Sequence, residues 1–552
     1  MNKLLLIAGL ALALSGCADN PDETESTAAA SGDHALDTIT QEGIYAHLAY
    51  LADDTLEGRE VGTPGYEMAA KYVAEQFAAI GLEPGGTEEW YQPVPLQSYM
   101  LDTESVAMTI HRDARDTELV YRETFAAFGD KVREQTSVRA ELVYVGFGVH
   151  APEYGYTDYE GVDIEGKIAV LLGGGPSTIP GDELAYYSSS RTKATELVAR
   201  GAIGAIALYS RHMEKSFPWE RLAKTTGRKP GMAWVDLSGA ANDYNPELLG
   251  VTILSPAAGA ELFEGTPIGF EEARDAADAS VVASVPLGIE ATLSIRTEHD
   301  QLSSPNVIGV VRGTDPVLAD EYVVFTAHLD HVGRGIEVDG DDIYNGMYDN
   351  ALGTAIMIEN ARAIAASPPR RSVMFIALAA EERGLLGSDY FAHYPTVPTD
   401  SIVANVNMDM PLFLFPISDL VAFGAEHSSL RTVVDAAATA EGFALIPDPM
   451  PEEHLFRRSD QYSFVRKGVP AIYLDTSFGS TDPAIDGEAV VTEHLRTSYH
   501  QPSDDLSLPL HWDSAVRFTR ANARMGWDIA NDDARPTWNE GDFFGEMFAP
   551  TP

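Results

Sequence analysis

Residues 321–331 read EYVVFTAHLDH, an apolar, β-branched run that ends abruptly in His328, Leu329, Asp330 and His331. A run of this length and composition fits a strand buried on both faces. Polar residues at the carboxyl end of such a strand stand where open α/β sheets hold their ligands. The pattern repeats outward along the chain: residues 371–379 run into Glu381 and Glu382, and residues 402–408 run into Asp409. Further strands are predicted over 306–311 and 469–474. Helical spacing predicts helices over 351–366, Leu386–His393 and 430–441, the first with Leu352, Ala355, Ile356 and Ile364 among its apolar positions. Strands alternating with helices imply an α/β fold, a mostly parallel mixed sheet flanked by helices.

The residues at these strand ends share one chemistry. Asp349 lies in the turn NGMYDN (345–350) directly before a predicted helix, and His500 lies in the late segment YHQP (499–502). Singly, each has an ordinary explanation: a loop histidine, a Glu-Glu pair facing a helix dipole, an Asp N-cap. Together, four carboxylates (Asp349, Glu381, Glu382, Asp409) and two or three imidazoles would meet at one sheet edge. Carboxylates so gathered repel one another unless cations offset them. With His and carboxylate donors and no thiolate, zinc is the expected metal, and four carboxylates suggest two ions. Two metals need a bridging carboxylate, outer ligands and a base for the attacking water, which an adjacent Glu-Glu pair can provide. An Asp two residues after a His can orient that imidazole.

These residues carry a resemblance. The segments HLD (328–330), NG through DNALG (345–353), AEERGLLGS (380–388), NMDM (407–410) and YHQPSDD (499–505) are similar to those of the co-catalytic zinc peptidases of family M28, which include aminopeptidases and glutamate carboxypeptidases. The resemblance implies a zinc-exopeptidase fold of the phosphorylase/hydrolase-like kind and two zinc ions per chain. Asp349 would bridge them, His328 and Asp409 would complete one site, and Glu382 and His500 the other. Glu381 would be the general base, Asp330 would hold His328 in orientation, and the family's non-proline cis peptide would fall at Asp349–Asn350. The implied activity is hydrolysis of peptide bonds at the amino terminus, by water activated between the metals, with Glu381 passing its proton to the leaving amine. A carboxypeptidase or dipeptidase of the same family, or a non-catalytic peptide-binding protein, are the alternatives. Gln461 stands where relatives commonly carry His, and Phe456 near where some aminopeptidases supply a Tyr to the tetrahedral intermediate.

The remainder of the chain sets the organisation. The stretches YVGFGVHAPEYG (144–155) and GKIAVL (166–171) resemble a protease-associated (PA) domain, with strands expected over 140–149, 167–172 and 203–209 and a helix over 193–200. Upstream, LADDTLEGR (51–59) and a helix over 64–81 resemble the start of the catalytic domain, preceded by a helix over 41–52. The expected plan is a signal over 1–16, a tether over 17–38, catalytic parts over 39–115 and 291–535 around a PA-like insert over 116–290, and a tail over 536–552. The apolar run 4–14 is shorter than the ~20 residues that span a bilayer. With Ser15, Gly16 and Cys17 it looks like a bacterial lipoprotein signal, which implies export and a lipid anchor at Cys17 in the cell envelope, at the outer membrane or in the periplasm. Cys17 is the single cysteine, which excludes disulfides and thiolate-bound zinc.

Among 552 residues, 37 Lys plus Arg stand against 84 Asp plus Glu, a formal charge of −47 that repels phosphate backbones and anionic lipid. Peptide substrates are the expected partners, nucleic acid is not, and membrane contact is expected only through Cys17. No G-x-S-x-G elbow and no H-E-x-x-H helix occurs, which argues against a serine hydrolase or another metallopeptidase class.

Overall fold

The computed structural model describes residues 35–113 and 115–549. The expected signal, Cys17 and most of the tether lie outside the described residues. No helix among the described residues is long and apolar enough to cross a membrane.

Four parallel strands form the centre of the main sheet, in the order Ser372–Leu378, Tyr322–His328, Ile402–Asn407, Ala471–Thr476. Each of the first three is buried along its whole length, as their near-continuous apolar composition requires. Alternate side chains serve two different layers. Val323, Phe325 and Ala327 pack with Ile356, Phe518 and Met525, on the side covered by the helices Gly353–Ala366 and Trp512–Asn531. Val324, Met374 and Ile376 pack with Phe391 and Phe464 of the helices Leu386–His393 and Gln461–Val465 on the other face. The result is a three-layer α/β/α arrangement in which every parallel strand runs toward the same edge.

The amino-terminal helix Pro64–Ile80 joins the first layer through Ala69, Val73 and Phe77. Its ends follow from sequence: the Thr63 hydroxyl accepts the backbone N–H of Tyr66, Pro64 occupies the first turn, and Gly81 closes the helix at φ 96°.

The strand Val285–Val311 is 27 residues long and belongs to two sheets. Its second half pairs antiparallel with Tyr91–Leu101 and with Ser372–Leu378 in the main sheet. Its first half pairs with Ala107–Arg112 and Gln135–Tyr144 in a second sheet, which continues through Ile168–Leu172, Gly204–Leu208 and Val251–Leu254. The second sheet therefore starts at Ala107, ahead of the expected insert boundary at 116. Gly231–Trp234, from within the span expected as an insert, pairs back onto Tyr91–Leu101.

Some element bounds differ from the expectation, for local reasons. The strand expected over 140–149 is Gln135–Tyr144, because Gly146 and Gly148 take positive φ and turn the chain. The helix expected from 351 begins at Gly353, because Asp349 and Asn350 adopt non-helical backbone angles in the turn before it. The tail beyond 536 packs on the body: the Trp538 indole donates to the Gly468 carbonyl, and Phe544 is buried against Phe456.

Candidate metal centre

The carboxyl ends of the parallel strands bring the expected residues together. His328 is the last residue of its strand, Asp409 follows Ile402–Asn407 by two residues, and Glu381 and Glu382 follow Ser372–Leu378 by three and four. Asp349 reaches the same place from the turn Met347–Leu352, and His500 from the loop after Gly487–Thr497. Ala380, Leu385, Met410 and His500 all hold positive φ, so the backbone is strained immediately beside the donor residues.

Asp349 divides its two oxygens. Oδ1 lies 3.3 Å from His328 Nε2, which also lies 3.0 Å from Asp409 Oδ1. Oδ2 lies 3.0 Å from His500 Nε2, which is 3.3 Å from Glu382 Oε2. Two donor groups able to hold a metal result, His328–Asp349–Asp409 and His331–Asp349–Glu382–His500, with Asp349 common to both. The peptide Asp349–Asn350 is cis.

Surrounding groups fix each donor. His328 Nδ1 donates to the backbone carbonyl of Asp330 at 3.0 Å; a carbonyl only accepts, so Nδ1 carries a proton and Nε2 faces the carboxylates, as a donor to Asp409 in the metal-free chain and as the atom that would hold a metal. The orientation expected from the Asp330 side chain is thus supplied by its main chain. The Asp330 carboxylate instead accepts the backbone N–H groups of Glu381 (3.0 Å) and Glu382 (3.3 Å), because the chain turns there and leaves those donors pointing at it. Asp504 does the same for Tyr348 and Asp349, at 3.0 and 3.2 Å. Asn350 ties the Asp349 turn to its neighbour by donating to the Met408 carbonyl (2.9 Å) and accepting from the Met410 N–H (3.2 Å). The Ser459 hydroxyl donates to Asp409 Oδ2 at 2.5 Å.

Beneath the centre lies a guanidinium that sequence reading did not single out. Arg59 is fully buried and donates to the carbonyls of Leu51 (2.5 Å), Asn345 (2.6 Å), Leu329 (2.9 Å) and Gly346 (3.0 Å). It clamps the His328–His331 loop to the turn that carries Asp349. Its signal in the sequence was a Gly-Arg pair that only folding brings near the donors. His331 stands three residues after His328 among the strand-end residues, but neither strand-end logic nor the resemblance gave it a role distinct from an ordinary loop histidine.

Charge and burial decide the protonation pattern. Although burial raises carboxyl pKa values, the imidazoles of His331, His328 and His500 hold Asp349 well below the usual range, and His500 chiefly brings Glu382 down to about 2. Glu381 behaves oppositely: burial, then the charges of Asp409, Glu382 and Asp460, push it well up against the opposing effect of His328. Burial also raises Asp460 to about 7 and Asp475 to about 8. The donor set suits zinc: hard carboxylates and imidazoles, which give up a proton to a metal, no thiolate, and carboxylates that need cations to stay ionised together.

Gln461 and Phe456 are committed elsewhere. Gln461 is fully buried, donating to the Phe456 carbonyl (2.7 Å) and accepting from Asn407 (3.1 Å). The Phe456 ring packs against Phe544 and His427.

Residues 306–525 match the sequence model of Peptidase family M28. The chain is 24% identical to Aminopeptidase YwaD of Bacillus subtilis over 419 residues, covering 74% of this chain and 71% of that one. It is 26% identical to Aminopeptidase Y of Saccharomyces cerevisiae over 249 residues, 44% of this chain and 42% of the relative. A shorter match, 30% identical over 137 residues, covers 24% of this chain and 17% of Aminopeptidase NAALADL1 of Mus musculus. The chain thus spans less than half of the mouse and yeast relatives it matches. Among solved structures, the aminopeptidase from Aneurinibacillus sp. strain AM-1 superposes with a TM-score of 0.53 at 19% identity, covering 91% of this chain and 96% of that one, and so shares the fold.

Proposed function

Because this chain is an M28-type, aminopeptidase-like protein whose family match falls on residues 306–525, we propose that it is a zinc exopeptidase holding two ions and releasing amino-terminal residues from peptides. The observation that carries the reading is Asp349, whose two oxygens face two separate donor groups. Bound there, zinc acidifies water toward neutral pH and polarises the scissile carbonyl.

The chain's own residues do the rest. Glu381 takes the proton of the attacking water on its carboxylate and returns it to the leaving amine. Asp330 accepts the N–H groups of both Glu381 and Glu382, which keeps the base and the donor beside it in a fixed relation. His328, Asp409, Glu382 and His500 hold the ions, and Ser459 orients Asp409.

The charges around the centre favour the amino-terminal reading over a carboxypeptidase. A carboxypeptidase needs a cation facing the terminal carboxylate. Arg334 pairs with Asp342 and Glu57, Arg458 with Glu453, and Arg466 with Asp389, while Arg59 is spent on four carbonyls and Arg383 on Glu60; Arg457, whose buried Nε has no hydrogen-bond partner among the described residues, is the one arginine of this group without a carboxylate. Peptides are the proposed partners. Export and a lipid anchor at Cys17, with a PA-like insert, complete the proposal on sequence grounds.

The test is zinc per chain in the protein lacking residues 1–17, with hydrolysis of unblocked and N-acetylated peptides followed with and without chelator. Two zincs and chelator-sensitive cleavage of only the unblocked set are expected. Cleavage of the acetylated set would move the assignment to the carboxy terminus, and metal without turnover would leave a peptide-binding protein.

A further inference from the structure

His331 has no role in the reading above, yet its surroundings are unusual. Its side chain is fully buried, and neither ring nitrogen has a hydrogen-bond partner. A buried imidazole left unpaired is costly, and such groups are rare unless an ion or ordered water partners them. Nδ1 lies 2.8 Å from Glu382 Oε1 and 3.7 Å from Asp349 Oδ2, and Glu382 Oε1 is itself without a hydrogen-bond partner. The contact at 2.8 Å is therefore close but not aligned as a hydrogen bond. The ring meets His500 edge-on, with centroids 5.5 Å apart. Gly346 packs directly on it: a Cβ there would sit 2.5 Å from the His331 ring.

We propose that His331 is a ligand of the ion held by Glu382 and His500, so that this site is closed by four protein donors while its neighbour has three. The inference rests on the two-zinc reading above. Tetrahedral zinc with donors at 2.0–2.2 Å separates those donors by about 3.3–3.6 Å. The separations here bracket that value: 3.0 Å for His500 to Asp349 Oδ2, 3.3 Å for His500 to Glu382 Oε2, and 2.8 and 3.7 Å for His331 to Glu382 Oε1 and Asp349 Oδ2. A site with four protein donors is the kind that holds zinc structurally, and a site with three keeps a position open for water or substrate. His328, Asp349 and Asp409 form that open site. The two sites are thus unequal: the His331 site fills first and more tightly, and the open site fills second.

The experiment loads the metal-free chain, lacking residues 1–17, with one and then two equivalents of zinc, and counts imidazole ligands by X-ray absorption. Binding is measured in parallel by equilibrium dialysis. With one equivalent, two imidazoles per zinc are expected. The variant His331→Gln should show one imidazole and bind its tighter zinc at least about tenfold more weakly, with its apo circular dichroism unchanged. One imidazole per zinc in the unaltered protein, or equal affinity in His331→Gln, overturns the proposal. If the variant does not fold, the count on the unaltered protein decides alone: three imidazoles over two zincs support a His331 ligand, two refute it. A chain that binds fewer than two zincs refutes instead the two-zinc reading on which the inference rests.

Discussion

Replacing Arg59 with Met keeps the unbranched stem of the side chain but removes the guanidinium with its five donors. Three of the four carbonyls it serves, those of Leu51, Leu329 and Asn345, would lose a buried partner; Gly346 O also accepts from Ala351 N at 3.1 Å. An unsatisfied buried group costs ~1–3 kcal/mol, which for three gives roughly 6 kcal/mol. Against this, the variant no longer buries a cation. Burial lowers the Arg59 pKa from 12.5 to about 10, which corresponds to about 3.5 kcal/mol at ~1.4 kcal/mol per unit. The net loss is about 2.5 kcal/mol, and in a domain of roughly 150–250 residues each kcal/mol moves the melting temperature by ~2–4 °C. Arg59→Met should therefore unfold up to roughly 5–10 °C lower in chelator, followed by circular dichroism. Arg59→Lys should fall between, since one ammonium cannot reach carbonyls in four directions. A shift under about 2 °C for Arg59→Met would mean that the carbonyls find water or other partners and that the clamp is not what fixes the two loops.

Three further outcomes are expected. Glu381→Gln should keep its zinc and lose turnover by at least the ~10²–10⁴-fold ascribed to a general base; activity above a few per cent would remove Glu381 from that role. Asp349→Ala deprives both donor groups of their shared carboxylate, so it should lose both metals on dialysis, and retention of two zincs per chain would contradict the bridge. His427 makes a pH-dependent contact with Asp182 and Asp542: burial opposes its charge, but Asp182 (3.1 Å) and Asp542 (2.7 Å) raise its pKa from 6.5 to about 10. A raised pKa stabilises the fold fully below about 6.5 and is lost as pH climbs to about 10, a contribution of up to about 4–5 kcal/mol. His427→Gln should flatten that alkaline decline relative to the unaltered protein in denaturant titrations across the window; parallel curves would show the pair contributes nothing.

The sequence by itself determined the central sheet and the identity of most donors, because both depend on short-range facts. A strand buried on both faces must be a continuous apolar run, and a donor set at strand ends appears as charged residues that follow such runs. His328, Glu381, Glu382 and Asp409 are legible for that reason; Asp349 and His500, which come from a turn and a distant loop, were candidates on residue type, and the resemblance supplied their roles. What only the tertiary structure decided are relations between segments far apart in the chain. The Arg59 guanidinium meets Asn345 and Gly346 across 286 and 287 residues, and no spacing rule links them. Whether the Asp330 carboxylate faces His328 or the Glu381–Glu382 turn depends on which backbone N–H groups the fold leaves unpaired. The same holds for His331, whose ring looks like any loop histidine until the fold buries it among Gly346, Glu382 and His500.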